Sequence, residues 1–215
     1  MKTLVFAGLA VLAYAAAAPA NADPATTRAV PVGAFSGVQA SEALAVTVTT
    51  GAPSVTLVGD PRYFDRVQVQ VTNGTLRLSR VAGGAWRWGG WRDEVKVRVT
   101  APTLSSVEAS SAADITVRAI EAGGLSLTAS SGADLVIDGK CGALTATASS
   151  GADVHAEKLI CNSATARASS GADVIVFATA SASGDASSGG DVLIRGPARI
   201  GDTGESSGGD VTIRR

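Results

Sequence analysis

The chain has 215 residues, with 18 basic and 19 acidic side chains, 46% hydrophobic residues and only 4% aromatic ones. That hydrophobic content excludes a disordered chain, and the near-neutral charge excludes a strongly basic nucleic-acid binder. With 25 glycines and few aromatics, any core is thin and built from small side chains in close layers.

At the N-terminus, Lys2 precedes an apolar run over residues 4–18 and an Ala20-Asn21-Ala22 site. This is the pattern of a secretory signal peptide over residues 1–22, cut before Asp23. The run falls short of the ~20 residues a spanning helix needs, so no membrane span is expected after cleavage. Residues 23–34, which contain Pro and Ala, read as a linker. Strands are then expected around Val46 and Val48, around Val55 and Leu57, and through Val67, Val69 and Val71. Asn73-Gly74 separates the last of these from Leu76 and Leu78, which is the signal of a tight β-hairpin.

The next segment is the most unusual in the chain: Gly83-Gly84-Ala85-Trp86-Arg87-Trp88-Gly89-Gly90-Trp91-Arg92. Tryptophan faces stack on sugar rings or anchor protein interfaces, which makes Trp86, Arg87, Trp88, Trp91 and Arg92 the ligand-binding candidates. The competing reading has the tryptophans folded back as cover for the sheet or an open end. A further strand through Val95, Val97 and Val99 leads by Ala101-Pro102-Thr103-Leu104 into the second half without a visible linker. Residues 35–215 therefore read as one domain, with N-terminal strands over 35–105 and repeat coils over 106–215.

From residue 110 one motif recurs: Ser110-Ser111-Ala112-Ala113-Asp114, Ser130-Ser131-Gly132-Ala133-Asp134, Ser149-Ser150-Gly151-Ala152-Asp153, and again at Asp173, Asp191 and Asp210. The aspartates are separated by 20, 19, 20, 18 and 19 residues, the mark of a solenoid. Apolar residues alternate at the strand period after each Asp, as in Leu135 and Ile137 or Val174 and Val176. A second, Ala-rich alternation precedes each Ser-Ser pair, as in Ala164, Ala166 and Ala168. The expected fold is all-β: a right-handed parallel β-helix of about six ~19-residue coils stacked at ~4.8 Å.

The repeated corner has a structural reading, with Gly at positive φ and Ser and Asp bonded to nearby backbone. Its other reading is a cation column at Asp134, Asp153, Asp173 and Asp191, with calcium as the ion, although each coil supplies a single carboxylate. Cys141 and Cys161 hold nearly equivalent places in consecutive coils. Their predicted state in an oxidising compartment is a disulfide stapling two coils, with free thiols or a redox pair as the alternative. Catalysis finds no support: the single histidine, His155, is at an outward strand position, and no nucleophile elbow, phosphate loop or zinc cluster occurs.

Ala34-Phe35-Ser36-Gly37-Val38, Thr72-Asn73-Gly74-Thr75-Leu76-Arg77-Leu78, Ala101-Pro102-Thr103-Leu104 and the Ser-Gly-Ala-Asp corners together resemble the GIN domain, described as a head domain of autotransporter adhesins. The resemblance covers residues 35–215 and implies an exported β-helix-like domain of the bacterial envelope. No membrane barrel follows the repeats, so periplasm and cell surface are both expected compartments. The leading expectation is a non-enzymatic binding or adhesin domain whose partner is a polysaccharide. A scaffold for an envelope protein is the second reading, and a polysaccharide-active β-helix enzyme the third.

Overall fold

The computed structural model describes residues 26–81 and 95–215, so the signal peptide expected over residues 1–22 lies outside it. The chain forms a parallel β-solenoid. β9 (Asp114–Ser130), β10 (Asp134–Ser149), β11 (Asp153–Ser169) and β12 (Asp173–Ser187) each cover most of a coil. In each, the residues after the Asp belong to one ladder and those before the next Ser-Ser corner to another. β13 (Asp191–Arg195) and β15 (Asp210–Arg214) extend the first ladder, and β14 (Arg199–Ser206) extends the second. Six aspartate corners bound about five full turns, close to the six coils expected.

The tight corners share one backbone device. In Ser110-Ser111-Ala112-Ala113 the central residues have φ of 52° and 60°, and the Ala113 N–H donates to the Ser110 carbonyl at 3.1 Å. This pattern is a type I′ turn, which needs both central residues left-handed. Ser150 and Gly151 repeat it at 57° and 66°, so the serine shares the positive φ expected of the glycine. Left-handed serine is unfavourable alone. Here the turns stack: Gly132 N–H donates to Ser150 O and Gly151 N–H to Ser170 O, both at 3.1 Å.

The interior is as thin as the composition requires. Ile115, Val117, Leu135, Ile137, Val174 and Val176 of the first ladder are buried, as are Leu127, Ala146, Ala166 and Ala186 of the second. The two sets face each other: a Cβ placed on Gly184 would lie 3.2 Å from both Val192 and Ile194. Large side chains on one wall thus require small ones on the other, which accounts for the Ala-rich alternation.

The N-terminal half continues the same stack. β2 (Gly37–Ala40) and β3 (Ala45–Thr50) lie parallel on β8 (Ser106–Ala109) and on the start of β9. Their connection, Ser41-Glu42-Ala43-Leu44, is another stacked corner, with φ of 62° at Glu42 and 54° at Ala43, and Ala43 N–H donates to Ser111 O at 3.0 Å. β6 (Thr75–Arg80) and β7 (Val95–Ala101) form the outermost parallel coil, on β2 and β3. β5 (Val67–Thr72) turns back onto β6 through Asn73 and Gly74, as the hairpin signal predicts, and β4 (Ser54–Gly59) runs antiparallel to β7.

The linker expected over 23–34 is corrected in part: its Thr26, Thr27 and Val30 belong to β1 (Thr26–Val30), antiparallel to β4. Their β-branched side chains suit an edge strand. A 3-10 helix (Pro61–Arg66) packs against β1, β4 and β5, burying Phe64 and seating the Arg28 guanidinium 5.0 Å from the Phe64 ring centre. This end of the stack is therefore closed by antiparallel strands and a helical turn.

Candidate binding surfaces

The predicted ligand-binding residues Trp86, Arg87, Trp88, Trp91 and Arg92 lie outside the described residues. What is placed are the strands that flank them. β6 and β7 stack on β2 and β3, and four residues join β2 to β3, whereas residues 81–94 join β6 to β7. In chain order the Trp-rich segment falls between β6 and β7.

The aspartates are brought together as expected, Asp114, Asp134, Asp153, Asp173, Asp191 and Asp210 being register partners on adjacent strands. Burial raises the Asp173 carboxyl above its ordinary pKa, and the Asp153 and Asp191 charges raise it further while His155 opposes them. The Asp153 carboxylate accepts the Asp173 backbone N–H at 3.3 Å, a structural use of the side chain. Among the described residues, no group of three or more His, Cys, Asp or Glu is gathered where it would hold a metal ion. His155 is half-buried between Val136 and Ile175 in an outward column.

Cys141 and Cys161 form the predicted disulfide, with their Cα atoms 4.4 Å apart in register positions of β10 and β11. The outward side of the second ladder carries a hydroxyl row, Ser106, Ser126, Thr145, Thr165 and Ser183. Within it, Ser183 Oγ donates to Thr165 Oγ1 at 3.3 Å. Arg167, which interrupts the neighbouring hydroxyl row, pairs with its register partner Asp185 at 3.2 Å.

One grouping escaped sequence reading. Arg195, Arg199, Arg214 and Arg215 converge with Phe177 and the Gly196 turn around an open recess of about 840 Å³. A smaller recess of about 260 Å³ adjoins it through Arg199 and is lined by Thr165, Ser181 and Ser183. The Arg195-to-Arg214 spacing of 19 residues, the coil period, was the available signal. Arg199 is off that period and is brought in by the short corner at Gly196 and Pro197.

Comparison with solved structures shows the same fold. A protein described as a "putative adhesin" from Bacteroides fragilis aligns with a TM-score of 0.68 at 18% identity, over 90% of this chain and 97% of its own. A "putative adhesin" from Parabacteroides merdae aligns with a TM-score of 0.51 at 12% identity, over 89% of this chain and 96% of its own. A "putative lipid binding protein" from Parabacteroides distasonis gives 0.50 at 13% identity, over 88% of this chain and 97% of its own. No curated protein matches the chain. The family model described as "Putative auto-transporter adhesin, head GIN domain" matches residues 34–198, spanning every coil from β2 to the end of β13, and the chain belongs to that family.

Proposed function

We propose that the chain is an exported, non-enzymatic binding domain of the bacterial envelope, and that its ligand is a polysaccharide. The observation that carries this reading is the outer surface. Hydroxyls of Ser106, Ser126, Thr145, Thr165 and Ser183 follow one another along a line at the strand spacing, about 4.8 Å. A linear polymer lying across the coils meets the same donor and acceptor at every step, and contacts that are weak singly add along its length. The Trp86, Trp88 and Trp91 segment, which follows β6 in the chain, adds aromatic faces suited to sugar rings.

A protein partner is the second reading, favoured by Val136 and Ile160, which are outward and 42% and 47% exposed. The test is a retention screen of residues 23–215 on bacterial and host polysaccharides, beside a Trp86→Ala, Trp88→Ala variant and a reducing-end assay. Retention without new reducing ends, weakened in the still-folded variant, supports the reading. Release of reducing ends points to an enzyme, and co-purification of one envelope protein without glycan retention points to a scaffold.

A further inference from the structure

The recess at the C-terminal coils is basic against the trend of the molecule. The chain as a whole carries a formal net charge of −1, yet among the described residues four arginines and no Asp or Glu side chain line this one surface, the α-carboxyl of Arg215 being its one acidic group. Arg195 and Arg214 are register partners on β13 and β15, so their positive charges emerge side by side from neighbouring strands. All four side chains belong to exposed residues, and the ion pairs seen among the described residues involve Arg28, Arg62 and Arg167 instead. Like charges at strand spacing repel, and an anion set between them turns that repulsion into attraction.

The lining also includes one aromatic ring. Phe177 is the register partner of Arg195, and its ring lies so close to the Gly196 backbone that an added Cβ there would sit 3.1 Å from it. Gly196 has φ of 103°, and its N–H donates to the Arg214 carbonyl at 3.1 Å. The turn that seats the aromatic ring is thereby tied to the strand that carries Arg214. Arg199 also lines the neighbouring recess, which carries the hydroxyls of Thr165 and Ser183.

From this juxtaposition we infer that the recess is a binding subsite for an acidic polysaccharide, with sugar carboxylates held by Arg195, Arg199 and Arg214. Guanidinium offers a carboxylate two parallel N–H donors, a geometry that a lone hydroxyl or lysine does not supply. Hydroxyls of the same chain then meet the Ser and Thr row, and a sugar face meets Phe177. This inference rests on the polysaccharide reading above and narrows it to uronate-bearing chains. It also predicts where the contact is: at the C-terminal coils, around β13 and β15.

The test is affinity electrophoresis of residues 23–215 in alginate, in neutral dextran of similar length, and with phosphatidylcholine–phosphatidylglycerol vesicles. Three proteins are compared: wild type, Arg195→Gln with Arg214→Gln, and a control with Arg98→Gln and Arg118→Gln, two exposed arginines away from the recess. The expected result is alginate binding that falls about tenfold or more in the recess variant, stays near wild type in the control, and vanishes at about 1 M salt. Equal loss in the control, or binding to vesicles but not alginate, overturns the inference. Glycan binding that is indifferent to both charge and the arginine variants overturns it while leaving the polysaccharide reading standing. Retention of no glycan of either kind removes both.

Discussion

Ala166 shows what the thin interior demands of single residues. Its side chain is fully buried in the second ladder, whose inner side faces the Val and Ile wall, as the close approach of Gly184 to Val192 and Ile194 shows. Leucine there adds three carbons to a fully buried position in a close-packed wall, so Ala166→Leu should lower stability by about 1–3 kcal/mol. Urea unfolding monitored by circular dichroism measures it, and a midpoint no lower than wild type would place Ala166 elsewhere. Asp173 makes a second residue-scale prediction. Its pKa is raised in the folded chain, first by burial and then by Asp153 and Asp191, so the folded state binds its proton more tightly than the unfolded one. The resulting destabilisation is fully present above the raised folded pKa and disappears as pH falls below the unfolded value. Asp173→Asn should therefore melt at or above the wild-type temperature at pH 7, and the difference should fade as the carboxyl protonates in acid. A variant that melts clearly lower at neutral pH would show that the carboxylate's bonds outweigh the repulsion.

At the scale of elements, the corner and the strand pair were legible because they repeat. Period-two alternation gave the inward residues of β10 and β12 correctly, and the 20-residue offset put Cys141 beside Cys161. Closing a loop of that size in the unfolded chain is worth about 3 kcal/mol in the chain-entropy account. A Cys141→Ser, Cys161→Ser variant should lose stability of that order in denaturant unfolding, and wild type should match it after reduction. Equal stability of the oxidised and reduced forms would mean that the coils hold their register without the staple. The corner at Ser41-Glu42-Ala43-Leu44 was not legible. It has the same left-handed pair and the same stacked hydrogen bond as the others, but neither glycine nor aspartate. Backbone bonding to Ser111 holds that geometry, so the side chains that flag the turn elsewhere are not required here. β1 was hidden for a related reason: its pairing with β4 is non-local, and Thr and Val beside prolines read as linker.

For the whole molecule, spatial order departs from chain order in one place. β6 and β7 come after β2 and β3 in sequence but stack outside them, and β8 then returns to the inner side. Nothing local encodes that exchange; it follows from which edge the later strands find. One consequence is a stack whose two ends differ. At the N-terminal end β1, β4 and β5 run antiparallel and Phe64 is buried beneath the 3-10 turn. At the other end β14 and β15 each pair with a strand on one side among the described residues, and Arg199 and Arg214 put charge on those edges, which opposes edge-to-edge association. The arginine cluster was missed because two of its members look like ordinary exposed strand positions until the coils are stacked.

Binding without turnover is the central claim, and one measurement tests it directly. A uronate polysaccharide incubated with residues 23–215 is passed over a sizing column with light-scattering detection. The account predicts that the protein co-elutes with polymer whose molar mass, after the complex is dissociated in high salt, equals that of the untreated sample. Polymer that returns shortened, or protein that elutes alone from this polymer and from neutral polysaccharide alike at every concentration, would contradict it.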